Sequence, residues 1–168
     1  MTPRDTVLAI VVAALWGFAF VPIRIGVGEM PPLVLTALRF FFSAVPFVFF
    51  IRPPKAPAWL VVAFGLTLGV VKFGLLFTGM KLGMPVGLSS LVMQMQVFFT
   101  ILLAALIGRE MPTRLQIIAT LIALAGLGVI GLSDQRGAPL LPFLMLVLAA
   151  FVWSIANMLS RLAKGADM

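Results

Sequence analysis

Two cations stand inside apolar sequence: Arg39 within TALRFF and Lys72 within GVVKFG. A charge near the centre of a membrane-crossing helix costs at least about 2.5–3.5 kcal/mol, so each asks for a reason. One reason is an anion. Arg can grip a carboxylate through a bidentate fork, and Lys offers a mobile point charge. The other is snorkelling, in which the long stems carry the charge to the headgroups and hold nothing. Thr36, Arg39 and Ser43 form a polar stripe along one helical face, which favours an inward-facing Arg39. Gly65 and Gly69 share the expected face of Lys72 with GxxxG spacing, which favours a packed helix over lipid.

A second set is uncharged. Ser89, Met93, Gln96 and Thr100 recur at helical spacing, with Ser90 and Gln94 beside them. Such groups can hold the amino or hydroxyl group of a small polar molecule, or they can bond neighbouring helices together. Near the N-terminus, Trp16, Gly17, Phe20 and Pro22 share one apolar run, where the Gly-Pro spacing permits a kink. Near the C-terminus, Trp153 and Asn157 repeat that spacing, with Asn157 in the position of Phe20. Asn157 is a candidate ligand contact, with a bond to a neighbouring backbone as the plain alternative.

The missing residue types narrow the chemistry. The chain has no His and no Cys, which removes the commonest general base, the thiolate nucleophile and the commonest metal ligands. The acids Asp5, Glu29, Glu110, Asp134 and Asp167 fall in loops or at helix ends. No buried group is available to activate a nucleophile, so an enzyme is not expected, and neither a cofactor nor a metal is implied. A proton-coupled pump for cationic drugs needs an intramembrane carboxylate, which the six apolar segments lack.

The elements that position these residues are helices in lipid. Of 168 residues, 62% are hydrophobic and 10% charged, and the mean hydropathy is +1.21. Soluble domains carry roughly 25% charged residues, so this chain cannot cover itself in water. Six segments approach the ~20 residues a span requires: 6–26, 33–51, 58–80, 86–107, 115–133 and 140–161. The connections are short and hold turn formers, Pro31-Pro32, Pro53-Pro54, Pro85 and Pro112 among them. The first run ends in Arg24 with no small-residue cleavage site, unlike a signal peptide. At ~1.5 Å per residue, Arg39 sits roughly 9 Å and Lys72 roughly 12 Å inside the outer ends of their helices.

The net charge of +7 does not point to nucleic acid, because the cations lie at the ends of apolar runs without interleaved aromatics. They point to orientation. Arg4, Arg52, Lys55, Arg109, Arg114, Arg161 and Lys164 fall on one side, against Arg24, Lys81 and Arg136 on the other. The excess places the N-terminus in the cytoplasm.

AALWGFAFVPIR at 13–24 is echoed by AAFVWSIANMLSR at 149–161, with Trp16 on Trp153 and Arg24 on Arg161. Chance would suffice for so short a match. If it is a repeat, the unit spans five helices, an odd number, and the second copy enters the membrane inverted. Inverted repeats place a substrate site near the midplane between the halves.

The residues resemble the EamA family of the drug/metabolite transporter superfamily. The resemblance is carried by AALWGFAFVPIRIG, by Pro32 followed by TALRFF, and above all by SSLVMQMQVFFTILLAALIGREMPTRLQIIATLIALAGLGVI. It implies an all-α polytopic membrane protein, with a first five-helix repeat at 1–134 and the start of a second, incomplete repeat at 139–168. The run from Gln94 to Thr100 is similar to members that export O-acetylserine, cysteine and related metabolites. Expected site residues are therefore Arg39, Lys72, Gln96, Gln94, Thr100, Trp16 and Asn157, acting on a small-molecule substrate in a bacterial inner membrane. IGRE at 107–110 is a looser form of the family's Leu-Gly-Glu ending, which weakens a role for Glu110. The family pattern also implies four further helices. The alternative expectation is accordingly a non-transporting fragment or membrane interaction half, prone to homodimerise through small-residue faces, and a third reading is a drug exporter like the small multidrug-resistance pumps.

Overall fold

The computed structural model describes residues 2–51, 55–108, 111–133 and 139–165. Among these there are only helices, and the order follows from where helix starters and breakers fall. Helix α1 (Pro3–Glu29) opens on a reciprocal cap. Thr2 N–H donates to Asp5 Oδ2 at 2.8 Å, and Asp5 N–H donates to Thr2 Oγ1 at 3.3 Å. Pro3 occupies the first turn, where its missing N–H is no loss. The helix runs 27 residues, about 40 Å, and passes through Pro22. Pro31 ends it and starts α2 (Pro32–Val48), a shorter helix whose last turn gives way at Phe49, before the expected limit of 51.

The expected third helix, 58–80, exists as the run Ala58–Lys81 but is not uniformly α-helical. It comprises α3 (Ala58–Phe64), a π-helical stretch Gly65–Lys72, and α4 (Phe73–Lys81). A π-helix bonds i to i+5 and winds more widely, so residues three and seven apart no longer share a face. This corrects the GxxxG expectation. Gly65 is exposed with nothing near its absent Cβ, Gly69 faces the Phe40 ring of α2, and Lys72 turns inward.

The fourth expected helix is one run, Val86–Leu106, but it is not uniform. α5 (Val86–Met93) and α6 (Gln96–Leu106) are joined through a tightened turn at Gln94-Met95, where the bonds run i to i+3. The polar face drawn through Ser89, Met93, Gln96 and Thr100 is bent at that turn. Ser89 and Met93 are buried in the packing, and the Ser89 hydroxyl donates back to Pro85 O at 2.9 Å. Gly83, at φ 102°, makes the left-handed turn between α4 and α5 that a side chain would resist. The last helices are α7 (Arg114–Ser133) and α8 (Leu140–Gly165).

Helix α8 lies at the centre, against α3, the π stretch, α4, α5 and α6. Its fully buried residues Leu146, Ala149, Ala150, Ser154 and Ala156 are mostly small, which lets neighbours approach. Gly79 is one point of approach: a Cβ there would collide with the Leu146 side chain. Phe77, Val92 and Leu146 form the tightest packing. Helix directions follow from two contacts. Lys81 Nζ donates to Met30 O at 3.2 Å, and Gly79 lies against Pro142 and Leu146. The ends of α1 and α4 thus meet the start of α8, which runs back antiparallel to α1.

The outer surface is apolar. Val7, Ile10, Leu15 and Phe18 on α1, and Leu115, Leu121 and Ile122 on α7, are more than half exposed. Four helical runs are long and apolar enough to cross a membrane, and α2 and the first part of α7 are shorter apolar helices. In lipid these side chains need no burial, and cohesion comes from close packing and interhelical bonds.

Candidate functional site

Two clusters face each other along α8. The first surrounds Lys72, the last residue of the π stretch, which is only 5% exposed. Its Nζ lies 3.5 Å from the centroid of the Phe73 ring and 4.2 Å from that of Trp153. Both distances are well inside the range of a cation–π contact. The Arg39 guanidinium, reaching across from α2, lies 4.6 Å from the same Phe73 centroid. Arg39 itself remains exposed along its length. Phe73 is held in turn by Phe40 and Phe77, whose centroids are 5.4 and 5.5 Å away. Trp153 is backed by Trp16 at 5.9 Å.

Among the described residues no carboxylate answers this charge. Asp5 and Glu29, the acids among the described residues, sit near the two ends of α1. Among the described residues Lys72 makes neither a hydrogen bond nor an ion pair. No fully buried side-chain nitrogen or oxygen among them lacks a hydrogen-bond partner, so the ammonium keeps a small exposed surface. A cation surrounded by rings, unpaired and reachable, is electrostatically suited to an anion.

The second cluster is uncharged and stands one helical turn along α8. Asn157 Nδ2 donates to Gln96 Oε1 at 2.9 Å and to Thr100 Oγ1 at 3.1 Å. The Thr100 hydroxyl donates to Gln96 O at 2.7 Å. The turn at Gln94-Met95 starts α6 at Gln96, so Gln96 and Thr100 lie one turn apart against α8. Gln96 Nε2 and Asn157 Oδ1 carry no hydrogen bond among the described residues, and neither atom is fully buried. They leave one donor and one acceptor for a polar ligand. Trp153 and Asn157 are four residues apart, so the two clusters are separated by roughly 6 Å along one face of α8. A cavity of about 260 Å³ adjoins Thr100, with Thr113, Gln116 and Arg161 on its wall.

The sequence candidates divide accordingly. Lys72, Arg39 and Trp16 gather around the Phe73 and Trp153 rings, while Gln96, Thr100 and Asn157 bond directly. Gln94 is exposed in the turn and joins neither cluster. Of the stripe on α2, Thr36 is buried and its hydroxyl donates to Pro32 O at 2.9 Å, while Ser43 is exposed. Glu110 lies outside the described residues. Sequence reasoning missed Phe73 as a site residue. Its only local signal is adjacency to Lys72, and the π-helical winding that places both at one site is not visible in the periodicity.

A helical membrane protein with an unpaired cation and free amide groups between its helices has the makings of a solute carrier. Residues 6–132 match the EamA-like transporter family, and the chain belongs to that family. It is 40% identical, over 164 residues, to a protein of Escherichia coli (strain K12) named "Probable amino-acid metabolite efflux pump". That match covers 96% of this chain and 54% of the relative. A Salmonella typhimurium protein of the same name is 38% identical over 163 residues, with the same coverage. The "Uncharacterized transporter YoaV" of Bacillus subtilis is 26% identical over 162 residues, covering 90% of this chain and 55% of the relative. The chain thus spans about half the length of the relatives it matches. No solved structure gives a significant match.

Proposed function

We propose that this chain takes part in exporting small amino-acid-like metabolites, of the O-acetylserine and cysteine class, across a bacterial inner membrane by alternating access. The observation that carries this reading is the Lys72 ammonium, held between Phe73 and Trp153 with no acidic partner among the described residues. A substrate carboxylate would supply the missing charge, with the Arg39 guanidinium as a second contact. The free amide groups of Gln96 and Asn157 would then hold the polar remainder, one turn along α8. An amino acid carries both kinds of group on one carbon, which suits two stations spaced this closely. The names of the two enterobacterial relatives point the same way.

The excess of cations at one side supports a cytoplasmic N-terminus. The turn at Gln94-Met95 and the π stretch are irregular backbone inside two spans, the kind of feature that lines carrier sites and permits movement. Export of cationic drugs is less well supported, since the described acids lie near the ends of α1. The test is counterflow of radiolabelled O-acetyl-L-serine in proteoliposomes. Saturable uptake that Lys72→Met abolishes is expected, and uptake unaffected by that substitution would overturn the reading.

A further inference from the structure

The rings around Lys72 are more than packing. An ammonium has three donors, and neither Phe73 nor Trp153 offers it a full acceptor. The ring faces supply partial negative charge only. The arrangement is also crowded: Arg39 and Lys72 are both held against one phenyl ring, and like charges so placed repel. A carboxylate brings a whole negative charge and two strong acceptors, so it would win the ammonium from the rings.

We infer that Phe73 and Trp153 are positioning residues that stand in for the substrate carboxylate while the site is empty, and that an arriving carboxylate draws the Lys72 ammonium away from Trp153. This rests on the transport reading above and deepens it. Trp153 belongs to α8, whereas Lys72 and Phe73 belong to the run Ala58–Lys81. The exchange therefore does more than change a partner: it removes a link between α8 and the π stretch. Because Trp153 also backs onto Trp16 of α1, three helical runs meet at the contact that the substrate breaks. A π stretch is a rare winding, found frequently at functional sites. Occupancy would thus loosen the helices that must move.

The chain has three tryptophans, so Trp16→Phe with Trp59→Phe leaves Trp153 as the sole reporter. This variant, in lipid nanodiscs, is titrated with sodium acetate and, separately, with neutral acetamide at matched ionic strength. Acetate should change Trp153 emission saturably and acetamide should not. Lys72→Met should weaken the acetate response at least tenfold, and Lys72→Arg, which keeps the charge, should preserve it. An emission blind to acetate overturns the inference. So does a response that survives in Lys72→Met, or one that Lys72→Arg fails to retain. Calorimetry with O-acetyl-L-serine separates the two readings. Binding without a change at Trp153 sinks this inference and leaves the transport proposal, whereas an acetate response without O-acetyl-L-serine binding does the reverse.

Discussion

Trp16 of α1 and Trp153 of α8 meet with ring centroids 5.9 Å apart and planes inclined at 34°. They occupy equivalent places in two similar stretches of sequence, and their helices run antiparallel. The contact also places an aromatic wall behind the Lys72 ammonium.

The first prediction weighs that contact. Tilted ring pairs contribute about 0.5–1.5 kcal/mol beyond their area. Trp153→Ala should destabilise more than Trp16→Ala, because it also removes the Lys72 contact. A double-mutant cycle between the two, followed by denaturant unfolding in mixed micelles, should give a coupling of about 1 kcal/mol. Strict additivity would mean that the rings touch without interacting.

The amide cluster is the second. Asn157 makes two hydrogen bonds with one Nδ2 group, so Asn157→Ala should cost about 0.6–1.7 kcal/mol on the scale of membrane side-chain bonds. Gln96→Ala should cost less, since it leaves the Thr100 bond in place. In transport assays both should raise the half-saturating substrate concentration several-fold. An unchanged value for both would return the cluster to interhelical cohesion.

What the sequence made legible here was chemistry and class, and what it hid was winding. Lipid as solvent follows from too few polar residues, and Lys72, Gln96 and Asn157 stand out because polar groups in apolar runs are costly. Periodicity assumes 3.6 residues per turn throughout. It therefore put Gly65 and Gly69 on the face of Lys72, and drew one straight face through α5 and α6. The π stretch holds Gly65 and Gly69 but no Pro, and the turn at Gln94-Met95 holds neither Gly nor Pro. Phe73 could not be distinguished from the chain's other phenylalanines, because its role depends on Arg39 reaching it from α2 as well as on the adjacent Lys72.

Third, two glycines of one helical run should respond oppositely. Gly79→Ala drives a Cβ into Leu146 at the closest approach of α4 and α8, and overpacking of this kind costs about 1–3 kcal/mol. Gly65→Ala meets open space and should be neutral in thermal unfolding. Equal losses at both positions would show that backbone freedom, not the approach of α8, is what these glycines provide.

The last prediction sets stability against function at Lys72. A cation buried in a bilayer protein without an acidic partner is a standing cost, in the range of about 2.5–3.5 kcal/mol for an uncompensated central charge. The ring contacts with Phe73 and Trp153 offset this cost in part or in full, each contributing from about 0.5–1 kcal/mol where exposed to about 2 kcal/mol or more where desolvated. Lys72→Met keeps the length and apolar stem while removing the charge, so the variant should unfold at equal or higher denaturant concentration than the parent. It should nonetheless lose saturable transport of carboxylate substrates. Arg39→Ala should be milder in both measurements, since Arg39 is exposed and touches the ring only at its guanidinium. Loss of stability in Lys72→Met alongside loss of transport would make Lys72 a structural residue. A gain in stability with loss of transport would mean that the charge is kept for its ligand.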